Sequence, residues 1–185
     1  MKIAVFGCVH GLWDFMYDHV ADADLVILTG DLHTHRDEED RYTITRGKKR
    51  NEMGDFWKYY SGKAVAPVLT ICIGGNNEAV GFLRELRYGG WIAPNIYFLG
   101  TSGVIRVGSL RIAGISGIQK PTAFTAPIEA PPLIKKKCAS AYGVRKADID
   151  MLMQVIEPVD IFISHDWPNG MEPYGDSPRI WAQKP

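Results

Sequence analysis

Apolar residues in this chain come in short runs, and most of the runs stop abruptly at polar groups. Residues 2–7 (KIAVFG) form a brief apolar run closed by Gly, the pattern of a buried strand. Residues 12–20 predict a helix. Residues 25–29 (LVILT) predict a second buried strand that stops at Gly30-Asp31. Residues 32–50 are charged and aperiodic, which predicts a long surface loop. Residues 52–60 read as a helix rich in aromatics. A third buried strand, 68–73 (VLTICI), stops at Gly74-Gly75, and residues 78–87 read as helical.

The pattern then changes. Residues 96–99, 104–107 and 110–114 predict short strands, and Gly108-Ser109 suits a two-residue hairpin turn with Gly first. Residues 119–134 carry four Pro and no periodicity, which predicts an extended loop. Residues 146–156 read as a helix, with Pro158 beyond its end. Residues 160–164 (DIFIS) predict another buried strand, stopping at His165-Asp166. The whole is an α/β chain with hairpins in its middle and neither an internal repeat nor a linker, so one domain over 1–185 is expected.

Composition changes this little. Of 185 residues, 46% are hydrophobic and 23% charged, as in ordinary globular proteins. No apolar run nears the length of a membrane span, and the apolar start is too brief for a signal peptide. Lys plus Arg equals Asp plus Glu at 21 each, so overall charge gives no footprint for nucleic acid. Two local clusters are basic, Arg46, Lys48, Lys49 and Arg50, then Lys135, Lys136 and Lys137. Such clusters are usually solvated, but they suit phosphates where a nucleic-acid substrate is established. Cys8, Cys72 and Cys138 are odd in number and far apart, which argues against a disulfide framework and for a reducing, intracellular compartment. Oligomeric state has no signal.

The candidate chemistry lies where the strands end. Four apolar strands run directly into Cys8 and His10; Asp31; Asn76, Asn77 and Glu78; and His165 and Asp166. Ligands of open α/β sheets bind at the carboxyl ends of strands, so these groups can meet at one rim. Each has an ordinary reading alone, as a small buried Cys, a surface His or a turn. Together they offer sulfur, nitrogen and oxygen donors, a set that suits Zn, Fe or Mn. Two such ions about 4 Å apart would clamp a phosphate and activate water for in-line attack.

The order Cys-x-His-Gly, Gly-Asp, Gly-Asn-x-Glu and a later His resembles the calcineurin-like metallophosphoesterases. Cys8 in place of their usual Asp resembles their RNA lariat-debranching branch, as do GGNNEA, YGGWIAPNIYFLG, RIAGISGI and DIFISHDWP. The resemblance runs from Ile3 to about Gly175. It implies an αββα sandwich, one or two divalent ions (Fe, Zn or Mn), and hydrolysis of the 2′-5′ phosphodiester at the branch point of lariat RNA. A nuclear location follows from that substrate. Cys8 and His10 match ligands of one metal site, Asp31 the bridging ligand, and Asn76 and His165 ligands of the second. Arg36, Tyr88 and Arg145 match residues at or near the substrate. Residues 119–142, with Lys135, Lys136 and Lys137, match the loop that recognises the branched RNA.

Three departures temper this. Asn77 stands where the family has a His that donates a proton to the leaving oxygen, and an amide cannot titrate near neutral pH. Gly143 stands where a substrate-side His is usual. The family's later Gly-His-x-His motif is absent before Pro185, which implies a sandwich truncated at its carboxyl-terminal part. The alternative is therefore a catalytically inactive remnant that binds branched RNA. His33 and His35 have metal-binding spacing. Their charged loop reads as exposed, however, and their chain position as wrong for the far side of the cluster.

Overall fold

The computed structural model describes residues 1–44, 52–129, 133, 135–171 and 174, and of residues 135–137 the backbone alone. The basic run at 46–50 lies outside the described residues. One sheet has the order β1-β2-β3-β5-β4: β1 (Ile3–Phe6), β2 (Leu25–Leu28), β3 (Thr70–Cys72) and β5 (Ile96–Phe98) are parallel, and β4 (Gly90–Ala93) is antiparallel to β5. The other has β6 (Ser102–Val107) and β7 (Leu110–Ile115) as an antiparallel hairpin, with β8 (Ile161–Ser164) parallel to β7.

The continuous apolar runs are explained by burial on two faces. Leu25 and Ile27 of β2 join Ile71, Ile73, Leu99, Ile112 and Ile163 in a core shared by the two sheets. Val26 and Leu28, between them in sequence, face the other way. They pack with Trp13 and Met16 of α1 (Trp13–Tyr17), Phe56 of α2 (Phe56–Tyr60) and Phe82 of α3 (Val80–Glu85). Against β6 and β7 packs α6 (Lys146–Leu152). The fold is thus a mixed α/β arrangement of two sheets and flanking helices, as expected. No helix of the described residues is long and apolar enough to cross a membrane, and no disulfide joins Cys8, Cys72 and Cys138.

Several expectations need correction. β1 and β8 are edge strands, not fully buried ones, so Val5 is 61% and Phe162 57% exposed. β4 went unpredicted. The stretch 119–134 is not wholly extended: Pro121 sits in the first turn of α4 (Pro121–Phe124), where its missing N–H costs nothing. A further helix, α5 (Lys135–Ala141), follows. The β6–β7 turn is as expected, with Val107 opposite Leu110 and positive φ at Gly108 (+60°) but not at Ser109.

Candidate metal centre

The parallel strands β1, β2 and β3 and the edge strand β8 deliver their following residues to one rim. The β1 and β2 exits are laced by backbone: Cys8 N–H donates to Gly30 O (3.0 Å), His10 N–H to Asp31 O (2.8 Å) and Gly11 N–H to Leu32 O (3.0 Å). This lacing holds four non-glycine residues in the left-handed region: Cys8 (φ +57°), His10 (+49°), Asp31 (+57°) and His33 (+54°). Each such conformation costs on the order of 1–2 kcal/mol and persists only where the surroundings impose it. The glycines answer to close approach. At Gly30 (φ +105°) a Cβ would lie 2.6 Å from His165 Nδ1 and 2.7 Å from Gly75 N. At Gly75 a Cβ would run into the Asp31 carboxylate.

Asp31 is the hub. Its Oδ1 accepts from the backbone N–H of Asn76 and of Asn77, each at 2.8 Å, and its Oδ2 from Asn77 Nδ2 at 2.6 Å. Burial alone would raise its pKa. The Asn77 bonds, with His165 and His10 nearby, outweigh that and hold the carboxyl below the ordinary carboxylate value. Beneath it Glu78 braces the backbone: Oε1 accepts from Leu32 N–H (2.8 Å) and Gly75 N–H (2.8 Å), and Oε2 from His33 N–H (3.1 Å). Burial pushes the Glu78 carboxyl up to about 8 against the pull of those amides. The strand-exit pattern had included Glu78 but gave it no role.

The donor chemistry fits a divalent cation. One ligand atom each from Cys8, His10 and Asp31 lie within 4.8 Å of one another. His165 Nδ1 lies 2.7 Å from Thr29 O. A carbonyl only accepts, so Nδ1 carries the proton and a neutral ring presents a bare Nε2. That nitrogen lies 3.5 Å from Asp31 Oδ1 and 3.3 Å from Asn76 Oδ1. With the ring neutral, three lone-pair atoms converge there, an arrangement that a cation would relieve, as would a proton on Nε2 donated to Asn76.

The structure places the other expected residues unevenly. Asn77 is 5% exposed, its amide turned onto Asp31. The Arg36 guanidinium lies over the Phe82 ring at 4.1 Å and pairs with Asp40 (2.8 Å) and Glu85 (3.3 Å). Tyr88 is exposed. Arg145 is buried and bonded to Glu129 (2.7 Å) and Ser140 (3.1 Å). The side chains of Lys135, Lys136 and Lys137 lie outside what is described. Gly143 has a local reason: a Cβ there would meet Ala123 Cβ at 2.5 Å. His33 and His35 are corrections to the expected exposure, for both are buried. The Glu78 bonds draw the chain after Asp31 inward, and His33 Nε2 comes within 3.2 Å of His10 Nδ1.

Residues 1–178 match the calcineurin-like phosphoesterase family. The whole chain is similar to proteins named lariat debranching enzyme: 47% identical to those of Arabidopsis thaliana and Drosophila melanogaster and 42% to that of Homo sapiens. It spans 46% of the length of the first and 36% of each of the other two.

Proposed function

The chain belongs to the calcineurin-like phosphoesterase family, and from that premise we propose that it is a metal-dependent phosphodiesterase opening the 2′-5′ linkage at the branch point of lariat RNA, in the nucleus. The crowding of Cys8, His10 and Asp31 within 4.8 Å carries this reading. The similarity to lariat debranching enzymes gives it its substrate. Cys8 and His10 are the ligands on one side, Asn76 and His165 on the other, and Asp31 lies between them. One or two divalent ions (Fe, Zn or Mn) would supply positive charge against the phosphate and a water acidic enough to ionise near neutral pH.

The chain's own residues set the geometry. Asp31 stays ionised and cannot swing, because Asn76 and Asn77 hold both its oxygens. His165 keeps its Nε2 lone pair forward through its bond to Thr29. In the reaction a water oxygen bonds to phosphorus as the P–O2′ bond breaks. The 2′ oxygen takes up a proton, which solvent must supply, since Asn77 has none to give near neutral pH. Residues 119–142 with Lys135, Lys136 and Lys137 recognise the branch by shape and phosphate charge. Tyr88 meets substrate directly, whereas Arg36 and Arg145 reach it only by exchanging their present carboxylates.

Asn77 also favours a second reading, branched-RNA binding without turnover. The test is cleavage of a synthetic 2′-5′ branched RNA by the chain and by Asn77→His, with Mn, Fe or Zn added. The expected result is slow cleavage by the parent and a gain of about 10²–10⁴ in the variant, the usual worth of acid–base assistance. RNA binding with no cleavage by either chain would establish the second reading. Equal cutting of unbranched RNA would remove the branch from the proposal.

A further inference from the structure

His33 has no part in the chemistry above, yet it is 1% exposed and touches a proposed ligand. Its Nε2 lies 3.2 Å from His10 Nδ1, with the rings edge to face at 65°. Two imidazole nitrogens at that distance share one hydrogen: one donates and the other accepts. The opposite nitrogen of His10, Nε2, faces Asp31 Oδ2 at 3.7 Å. If Nε2 is to offer a lone pair to an ion there, the His10 proton must sit on Nδ1, and His33 Nε2 must be its acceptor.

We propose that His33 is a positioning residue for His10, its Nε2 accepting the His10 Nδ1–H bond and thereby fixing both the plane of the His10 ring and the lone pair on Nε2. The inference rests on the reading of His10 as a metal ligand. The hydrogen bond made by one ring nitrogen decides what the other can do. The holder is itself held: the His33 backbone is left-handed at φ +54°, its N–H is bonded to Glu78, and its ring lies against that of His35, centroids 5.6 Å apart. Burial and a fixed backbone thus restrain His33 from following His10 if that ring turns.

The experiment compares the full chain with His33→Leu, which cannot accept, and His33→Gln, whose amide oxygen can. Mn(II) affinity is read by calorimetry, and the His10 tautomer by nitrogen NMR on metal-free protein. His33→Leu is expected to bind Mn(II) 10–100-fold more weakly, the usual effect of losing such a partner, with His33→Gln close to the parent. The parent should show His10 protonated at Nδ1, and His33→Leu should lose that preference. Equal affinity of parent and His33→Leu overturns the proposal, as does equal weakness of both variants or an Nε2-protonated His10 in the parent. If the parent binds no Mn(II), the metal centre fails as a reading. The tautomer then still decides whether His33 sets His10.

Discussion

The strand-exit rim and the described part of the segment from 117 to 148 are both partly buried, but they are held by different balances of backbone and side chain. In the rim, backbone shape does the holding: left-handed residues, glycines without room for a Cβ, and amides aimed at Asp31 and Glu78. In the described part of the segment, Gly117 and Gly143 are as crowded, and buried charged side chains add a second set of ties. Arg145 bonds Glu129 and Ser140, Arg84 bonds Ala141 O (3.2 Å), and Asp148 bonds Arg87 (3.0 Å) and Thr101 (2.8 Å). Backbone-built geometry admits almost no substitution, whereas charge pairs can be exchanged together but not one at a time. The proposed metal centre is built chiefly the first way, and the 117–148 segment adds the second.

Breaking the segment should give the largest effect. Arg145→Met leaves Glu129 short of a buried cation, and unfolding by urea should show a loss of about 3–5 kcal/mol. Glu129 also pairs with buried Arg84 (3.6 Å), so adding Glu129→Leu together with Arg84→Met should recover much of that loss, since apolar replacement of a whole buried ionic set is often neutral. A loss that persists in the triple variant would mean that packing, not charge, holds the segment. Metal affinity should hardly move in either.

The rim should respond in the reverse sense. Gly75→Ala should cost about 1–3 kcal/mol as an overpacked site and should also weaken Mn(II) binding. Unchanged Mn(II) affinity in calorimetry would show that the rim can relax, and the contrast between the regions would fail. The smallest effect is a slope. A carboxyl raised from 4.5 to about 8 is protonated in the folded chain where the unfolded chain has already ionised. The stability that Glu78 contributes is therefore complete below about pH 4.5 and lost as pH rises to about 8. In metal-free protein, melting temperature against pH should fall less steeply across that window in Glu78→Gln. Identical slopes would mean that the three amides keep Glu78 ionised throughout.

What could be read from sequence divides along the same line. Residues 25–29 and 68–73 announce themselves because strands covered on both faces need unbroken apolar runs, and the four exits follow from where those runs stop. β4 escaped because Gly90-Trp91-Ile92-Ala93 is short, begins with Gly and leaves Trp91 in solvent. Pro121 looked like a loop residue because composition cannot distinguish a helix-starting Pro from a helix-breaking one. His33 and His35 looked exposed because their partners, Glu78 for the His33 backbone and the Met53 carbonyl for the His35 ring, lie 45 and 18 residues along the chain, where no local pattern announces them. The edge positions of β1 and β8 were equally hidden, since strand order is not a local property.

His165 reaches Thr29 across 136 residues of chain. A centre closed by so long a loop cannot preform in a fragment or in the unfolded chain, because both ends must be gathered before it exists. An ion held there would bind the folded state alone. Each tenfold rise in its free concentration above the dissociation constant would then add about 1.4 kcal/mol to the stability of the whole domain. Measured stability would therefore follow the supply of metal in the surrounding solution, and a starved chain would be a less durable molecule as well as an empty one.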